Sequence, residues 1–220
     1  MKSFKKDIYR TASENADPCL TCIPGNVPIG TQVWSGCNLN VTKYRNGVDI
    51  PEVSNPVTFA NTTTGAWCHY NNDPTNDAIY GKLYNWYAVN DPRGLAPSGW
   101  HVPTQTEYLD LISFLKGSPF TSNITPIVGG MMKEMGTCHW FSPNVGATNS
   151  SGFTGLAGGT VGSGVYMGMG YSGYFWTASP FTYDGLSSAV VVLSASNDSV
   201  STYGMTNVSG LSVRVVQDYY

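Results

Sequence analysis

Apolar and polar positions divide this chain unevenly. Residues 1–27 are polar and charged, with little apolar periodicity, and they run into Pro24-Gly25 and Pro28, residue types that punctuate a boundary. They predict an N-terminal docking arm, in which Lys2, Phe4, Lys5, Lys6, Ile8, Tyr9 and Arg10 attach the chain to a partner. Residues 28–220 read as one continuous domain. There Gln32-Val33-Trp34 is strand-like and leads into Asn38-Leu39-Asn40-Val41, and Asn46-Gly47 is a turn signal, so an opening hairpin is expected. Between Asn76 and Val89, residues Ile79, Leu83 and Tyr87 recur at helical spacing with Tyr80 and Tyr84 beside them, which predicts a helix capped by Asn76 or Asp77. A second helix is predicted over 104–116. Thr104-Gln105-Thr106-Glu107 is a capping-box sequence, Tyr108, Leu109, Leu111, Ile112 and Leu115 follow it, and Gly117 stops it. The remaining strand candidates are short: Trp100–Val102, Phe175–Thr177, Ala189–Leu193 and the alternating Leu211–Val215. Strands, two helices and a loop-rich set of further strands make an α+β domain.

Composition sharpens the second half. The chain has 220 residues, of which 41% are hydrophobic and 11% charged, so it can fill a core on less than half the usual charge. From Met135 to Val213 there is no Lys, Arg or Glu, and the only charges are Asp184 and Asp198. Gly, Ser, Thr, Tyr, Asn and Val build that stretch, a mixture that suits turns, short strands and hydrogen-bonding loops. Plain long loops have the same composition. The net charge of −3 offers no basic field for phosphate backbones, which argues against a nucleic-acid partner. No apolar run approaches the roughly 20 residues that span a bilayer, and none follows the basic start, so neither membrane insertion nor a secretion signal is expected.

Candidate chemistry is sparse. Cys19, Cys22, Cys37, Cys68 and Cys138, without a secretion signal, are expected as free thiols in a reducing compartment. The spacing of Cys19 and Cys22 suits a zinc knuckle or a redox pair, but no second ligand pair follows and the motif is not at a strand-to-helix junction. His69, His101 and His139 accompany no nucleophile motif and read as structural, so no catalytic residue is assigned and the protein is not expected to be an enzyme. Asn71-Asn72-Asp73 with Asn76-Asp77 offers oxygen ligands for calcium, although the same residues serve as a turn and a helix cap. No metal or cofactor is assigned, with calcium as the alternative. Ligand binding is assigned to Tyr166, Tyr171, Tyr183, Asn197, Asp198, Tyr203 and Asn207. Tyr supplies rigid contact area with a polar tip, and Asn, Ser and Gly supply adaptable hydrogen bonds, a combination that can stack on and grip sugars. Phe175 and Trp176 are expected in the core, with Tyr171, Tyr183 and Tyr203 on the surface.

Several segments carry a family likeness. Ile29-Gly-Thr-Gln-Val-Trp34, Gly65-Ala-Trp-Cys-His-Tyr-Asn-Asn-Asp73, Tyr80-Gly-Lys-Leu-Tyr-Asn-Trp-Tyr-Ala-Val89, Gly99-Trp-His-Val-Pro-Thr104, Gly136-Thr-Cys-His-Trp140, Gly173-Tyr-Phe-Trp-Thr-Ala-Ser179 and Ser212-Val-Arg-Val-Val-Gln-Asp218 occur in family order. The chain resembles the Fibrobacter succinogenes major paralogous domain family over about residues 29 to 218. The resemblance implies a C-type lectin-like fold with two helices, small antiparallel sheets and a loop-rich C-terminal half. It also implies that the strand near Leu211–Val216 pairs beside Val33 and that the loops of 158–210 form a far binding face. Relatives often carry Cys where this chain has Ala96, so the expected partner of Cys68 is missing. The resemblance also relates the fold to formylglycine-generating enzymes, but only Cys138 lies beyond Cys68, so that oxidase activity is the least favoured reading. Because the family is common in gut-type bacteria and their phages, the expected role is a phage virion fibre, decoration or receptor-binding component that contacts host-surface glycans or proteins. Multiple copies or a homo-oligomer would give avidity. The arm would dock on other virion or surface-assembly proteins. The alternatives are an adhesin of the bacterial cell surface and a purely structural virion protein.

Overall fold

The computed structural model describes residue 19, residues 25–182 and residues 184–219. The arm residues Lys2, Phe4, Lys5, Lys6, Ile8, Tyr9 and Arg10, and Tyr183, lie outside the described residues. In chain order the first strands are β1 (Asn26–Ile29), β2 (Gln32–Ser35), β3 (Trp67–Cys68), β4 (Leu83–Tyr84), β5 (Trp100–His101) and β6 (Ile124–Thr125). They are followed by β7 (Gly158–Gly162), β8 (Val165–Met169), β9 (Ser172–Pro180), β10 (Ser187–Ser194), β11 (Val200–Thr206) and β12 (Val216–Gln217). The helices are α1 (Pro56–Phe59), α2 (Asp77–Tyr80), α3 (Trp86–Val89), α4 (Gln105–Lys116) and α5 (Val128–Met132).

The result is a mixed α+β fold with small open sheets. Among the described residues a four-stranded sheet runs β1-β2-β12-β5, a six-stranded sheet runs β6-β11-β10-β9-β7-β8, and β3 pairs with β4. The long strands β9, β10 and β11 are antiparallel neighbours. Alternation along them sends side chains to two faces. On one, Phe175, Val191 and Leu193 pack with Trp34, Phe153 and the α4 residues Tyr108, Leu111 and Ile112. On the other, Trp176, Val190 and Val192 pack with Trp67, Tyr84, Leu211 and Val213. Phe175 and Trp176 are thus core, as expected.

Helix α4 forms where the capping box places it. Thr104 Oγ1 accepts from Glu107 N, Glu107 Oε2 accepts from Thr104 N, and Gly117 ends the helix at φ 72°. The helix expected over 76–89 does not form. It breaks at Gly81, whose φ of 68° and ψ of −169° are non-helical, and Leu83–Tyr84 pairs instead with Trp67–Cys68. Between the short helices α2 and α3 the tyrosine-rich spacing is that of a buried strand. The opening hairpin is also displaced: β2 pairs with β1 across Gly30-Thr31, while Asn46-Gly47 closes only the bridge from Lys43 to Asp49.

The stretch 158–210, expected as far-side loops, consists largely of strands β7 to β11. Its glycines serve close packing: a Cβ on Gly173 would sit 2.4 Å from Leu156 O. The closing segment does pair beside the opening one, with Val216 opposite Trp34. Leu211–Val215, however, is no half-exposed strand. Every residue of it is buried, and the Arg214 guanidinium is satisfied by Asn38 Oδ1 and by the carbonyls of Ser35, Phe153 and Thr154.

The expectation of free thiols fails for most of the described cysteines. Cys19 and Cys138 form a disulfide across 119 residues of sequence, and Cys37 is also disulfide-bonded. Cys68 is a free, buried thiol packed among Phe59, Tyr70, Leu83 and Val161, whereas Ala96 belongs to the Trp67 cluster.

Candidate functional site

At the Ser172 and Ser194 end of the central sheet three loops are laced together by backbone hydrogen bonds. Phe141 N donates to Gly170 O (2.7 Å), Ala195 N to Tyr171 O (2.8 Å), and Val145 N to Ala195 O (2.9 Å). Lys133, fully buried, closes this set from beneath. Its ammonium donates to Val145 O (2.7 Å), Ser194 O (2.8 Å) and Asn197 O (2.9 Å), so all three donors are used. Burial pulls its pKa down from 10.5 to about 8, against the attraction of Asp198, so it carries its proton at neutral pH. Helix α5 presses its backbone against the same loops. A Cβ on Gly129 would lie 2.1 Å from Ser199 O, and one on Gly130 would lie 2.1 Å from Gly146 O.

On the outer side of this scaffold stand Phe141 and Tyr171. Their rings meet edge to face at 4.7 Å, yet Phe141 is 51% and Tyr171 59% exposed. Phe114, Ile127, Met135 and Leu186 are as exposed elsewhere, and what marks this pair is that its two exposed rings touch. The 194–197 loop, tied to Tyr171 O through Ala195 N, carries Ser194, Ser196 and exposed Asn197, with Ser194 Oγ and Ser196 Oγ 2.9 Å apart. Phe141 also walls a cleft of about 200 Å³, whose other sides include Tyr80, His139, Trp140 and Met169. Burial, with the charge of Glu134, pushes the Tyr80 phenol up to about 12, so it stays a neutral hydroxyl there.

The candidates read from the sequence are only partly brought together. Tyr171 and Asn197 belong to this end of the sheet. Asp198 supports it, its carbonyl accepting from Gly130 N at 2.9 Å. Tyr203 is on the surface but faces Val190, which is opposite Trp176. That is four register positions from the Ser172–Ser194 pair, or about 13 Å along the strand. Tyr166 turns inward: its ring packs on Tyr70 and its hydroxyl donates to Asn72 Oδ1 (2.9 Å), with Ser54 O 3.3 Å away as a second acceptor for the same proton. Asn207 is buried and cannot face a ligand, because its amide donates to Gly185 O and accepts from Ser188 Oγ. Lys133 and Phe141 escaped the sequence reading. The only hint of Lys133 was a cation placed directly after the apolar run Val128-Gly-Gly-Met-Met132.

The histidines are held by acids. His101 uses Nδ1 on Asp218 and Nε2 on Glu107, both at 2.7 Å, and His139 uses Nδ1 on Glu134 and Nε2 on Cys19 O. With both ring nitrogens engaged, neither can take a proton from a nucleophile without breaking a bond. His69 Nδ1 is 2.8 Å from Asp77 Oδ1. Four of the five residues weighed for calcium, all but exposed Asn71, are turned to internal use. Asp73 Oδ1 caps Thr75, Asn72 Oδ1 accepts from Tyr166, Asn76 Nδ2 donates to Tyr70 O, and Asp77 holds His69 and Lys82. Among the described residues no group of three or more His, Cys, Asp or Glu side chains is arranged to hold a metal ion.

No curated protein and no solved structure matches the chain. The model of the Fibrobacter succinogenes major domain matches residues 27–217. The elements that build the central sheet, α4 and the loops of the candidate site all fall inside that span, and the chain belongs to the Fibrobacter succinogenes major domain family.

Proposed function

We propose that this domain is a non-catalytic binding module of C-type lectin-like architecture that holds a glycan or glycan-bearing surface against Phe141 and Tyr171. The exposed edge-to-face pair carries this reading. The apolar face of a pyranose ring covers an aromatic ring, while its hydroxyls need the kind of donors and acceptors that Ser194, Ser196 and Asn197 place beside the pair. The Lys133 staple supports it further, since loops fixed before binding lose less entropy when a ligand arrives. Several copies on one particle or cell multiply weak contacts into avidity.

For the setting, the phage particle remains one reading, with the arm docked on neighbouring virion proteins. The Cys19–Cys138 disulfide favours the other, an adhesin of the bacterial cell surface, because a disulfide forms in the oxidising exterior and not in a reducing cytoplasm. The test is a screen of the oligomerised protein on a glycan array and on intact bacteria. Saturable binding competed by a soluble sugar is expected. An absence of binding to both, with the protein folded, overturns the proposal in favour of a structural component.

A further inference from the structure

Three side chains of complementary reactivity meet where the 77–84 segment crosses residues 38–40. Gly81 makes the crossing close, since a Cβ there would lie 2.6 Å from Leu39 O. Lys82 N donates to Leu39 O (3.1 Å), Asn38 Nδ2 to Tyr80 O (2.8 Å) and Asn40 Nδ2 to Asp77 O (3.2 Å), so the two segments are locked in register. Lys82 is 6% exposed. Its ammonium is 2.6 Å from Asn40 Oδ1, is hydrogen-bonded to Asp77 Oδ2, and lies 4.6 Å from the centre of the Trp67 ring. An amine, a carboxamide and a carboxylate are therefore held within hydrogen-bond reach, and the amide itself is at the surface.

We propose that Lys82 and Asn40 become joined by an isopeptide bond that the folded chain forms by itself, with Asp77 as the proton shuttle. Asp77 takes a proton from the Lys82 ammonium, which removes two charges from a buried site. The neutral amine then attacks Asn40 Cγ, one carbonyl bond of about 1.23 Å beyond the oxygen it already touches. As the tetrahedral adduct collapses, Asp77 passes its proton to Nδ2 and removes a second one from Nζ. Nδ2 leaves as ammonia at the exposed side, takes that second proton, and departs as ammonium. One C–N bond forms and one breaks, nothing is oxidised or reduced, and Asp77 is regenerated. Fixing the reactants at contact supplies the rate that free amines and amides lack. The product staples the 38–40 segment to 77–84 independently of the disulfides.

Intact mass spectrometry of the full chain, with cysteines reduced and alkylated, tests this. The folded wild type is expected to be lighter than its sequence by one ammonia. Its tryptic digest should contain a branched peptide joining Asn40 to Lys82, with no cleavage after Lys82. Asn40→Ala, at an exposed position, should fold with an unchanged circular dichroism spectrum and show the full sequence mass, and Asp77→Ala should lack the branch. Folded wild type at full sequence mass overturns the proposal. So does loss of ammonia without the branched peptide, because succinimide formation at Asn46-Gly47 gives the same mass.

Discussion

Replacing Lys133 by methionine keeps an unbranched buried side chain, one heavy atom shorter, and removes its three hydrogen bonds. Each bond from a charged donor is worth about 1.5–3 kcal/mol, which gives a gross loss of about 4–9 kcal/mol. The substitution also relieves the ammonium of its burial. The fall in its pKa from 10.5 to about 8 corresponds to about 3 kcal/mol of that penalty. The net loss is therefore centred near 3 kcal/mol, which for a domain of this size lowers the melting temperature by about 6–12 °C. Urea unfolding followed by tryptophan fluorescence measures it, with the midpoint shifted and the slope unchanged. Because the carbonyls released belong to Val145, Ser194 and Asn197, amide hydrogen exchange should rise first in the 141–147 and 194–199 loops. A Lys133→Met protein within about 0.5 kcal/mol of wild type, with those loops equally protected, would refute the idea that this lysine holds the site together.

Three further outcomes follow from particular residues. Burial opposes the charge on His101, but its bonds to Glu107 and Asp218 outweigh that and raise its pKa above 6.5. The stability it contributes is thus complete below pH 6.5 and is lost as pH climbs through the raised value. Denaturation midpoints of wild type should fall relative to His101→Gln as pH rises above 6.5, and parallel curves would contradict this. Gly130→Ala places a Cβ against Gly146 O and should cost about 1–3 kcal/mol in urea unfolding; a neutral result would mean the α5 contact is loose. Burial pushes the Cys68 thiol up to about 12, so iodoacetamide should leave it unmodified in the native protein and label it only after unfolding. Rapid native labelling would show that the Phe59 cluster opens.

What the sequence could convey was decided by range. Helix α4 was legible because its start, stripe and stop are local: Thr104 and Glu107 cap each other, and Gly117 closes the last turn. The 76–89 segment misled because Ile79, Leu83 and Tyr87 repeat at helical spacing, while Gly81 adopts a conformation that ends the helix and frees Leu83–Tyr84 for pairing with Trp67–Cys68, 15–17 residues earlier. Gly and Ser in 158–206 suggested loops because their low strand preference is a local property. Their use in β7 to β11 depends on close backbone approach, as at Gly173 against Leu156 O.

The site followed the same rule. Tyr171 was found by residue type, and Asn207 was misplaced for the same reason, since a buried amide bonded within the fold and one that grips a ligand look alike in sequence. Lys133 was invisible because its partners are main-chain carbonyls of Val145, Ser194 and Asn197, which no side-chain pattern encodes. The pairing of Cys19 with Cys138 could not be read from five cysteines, because their spacing does not choose among the possible pairings.

The binding role of the aromatic pair is tested most directly by titrating a sugar that competes in the screen against wild type and the Phe141→Ala/Tyr171→Ala double variant, with Tyr203→Ala as the control. Two stacked rings at about 0.5–1.5 kcal/mol each predict a loss of affinity of about 5- to 150-fold in the double variant and none in the control. Equal affinity in the double variant, with its fold intact by circular dichroism, would contradict the assignment of Phe141 and Tyr171 as the contact surface.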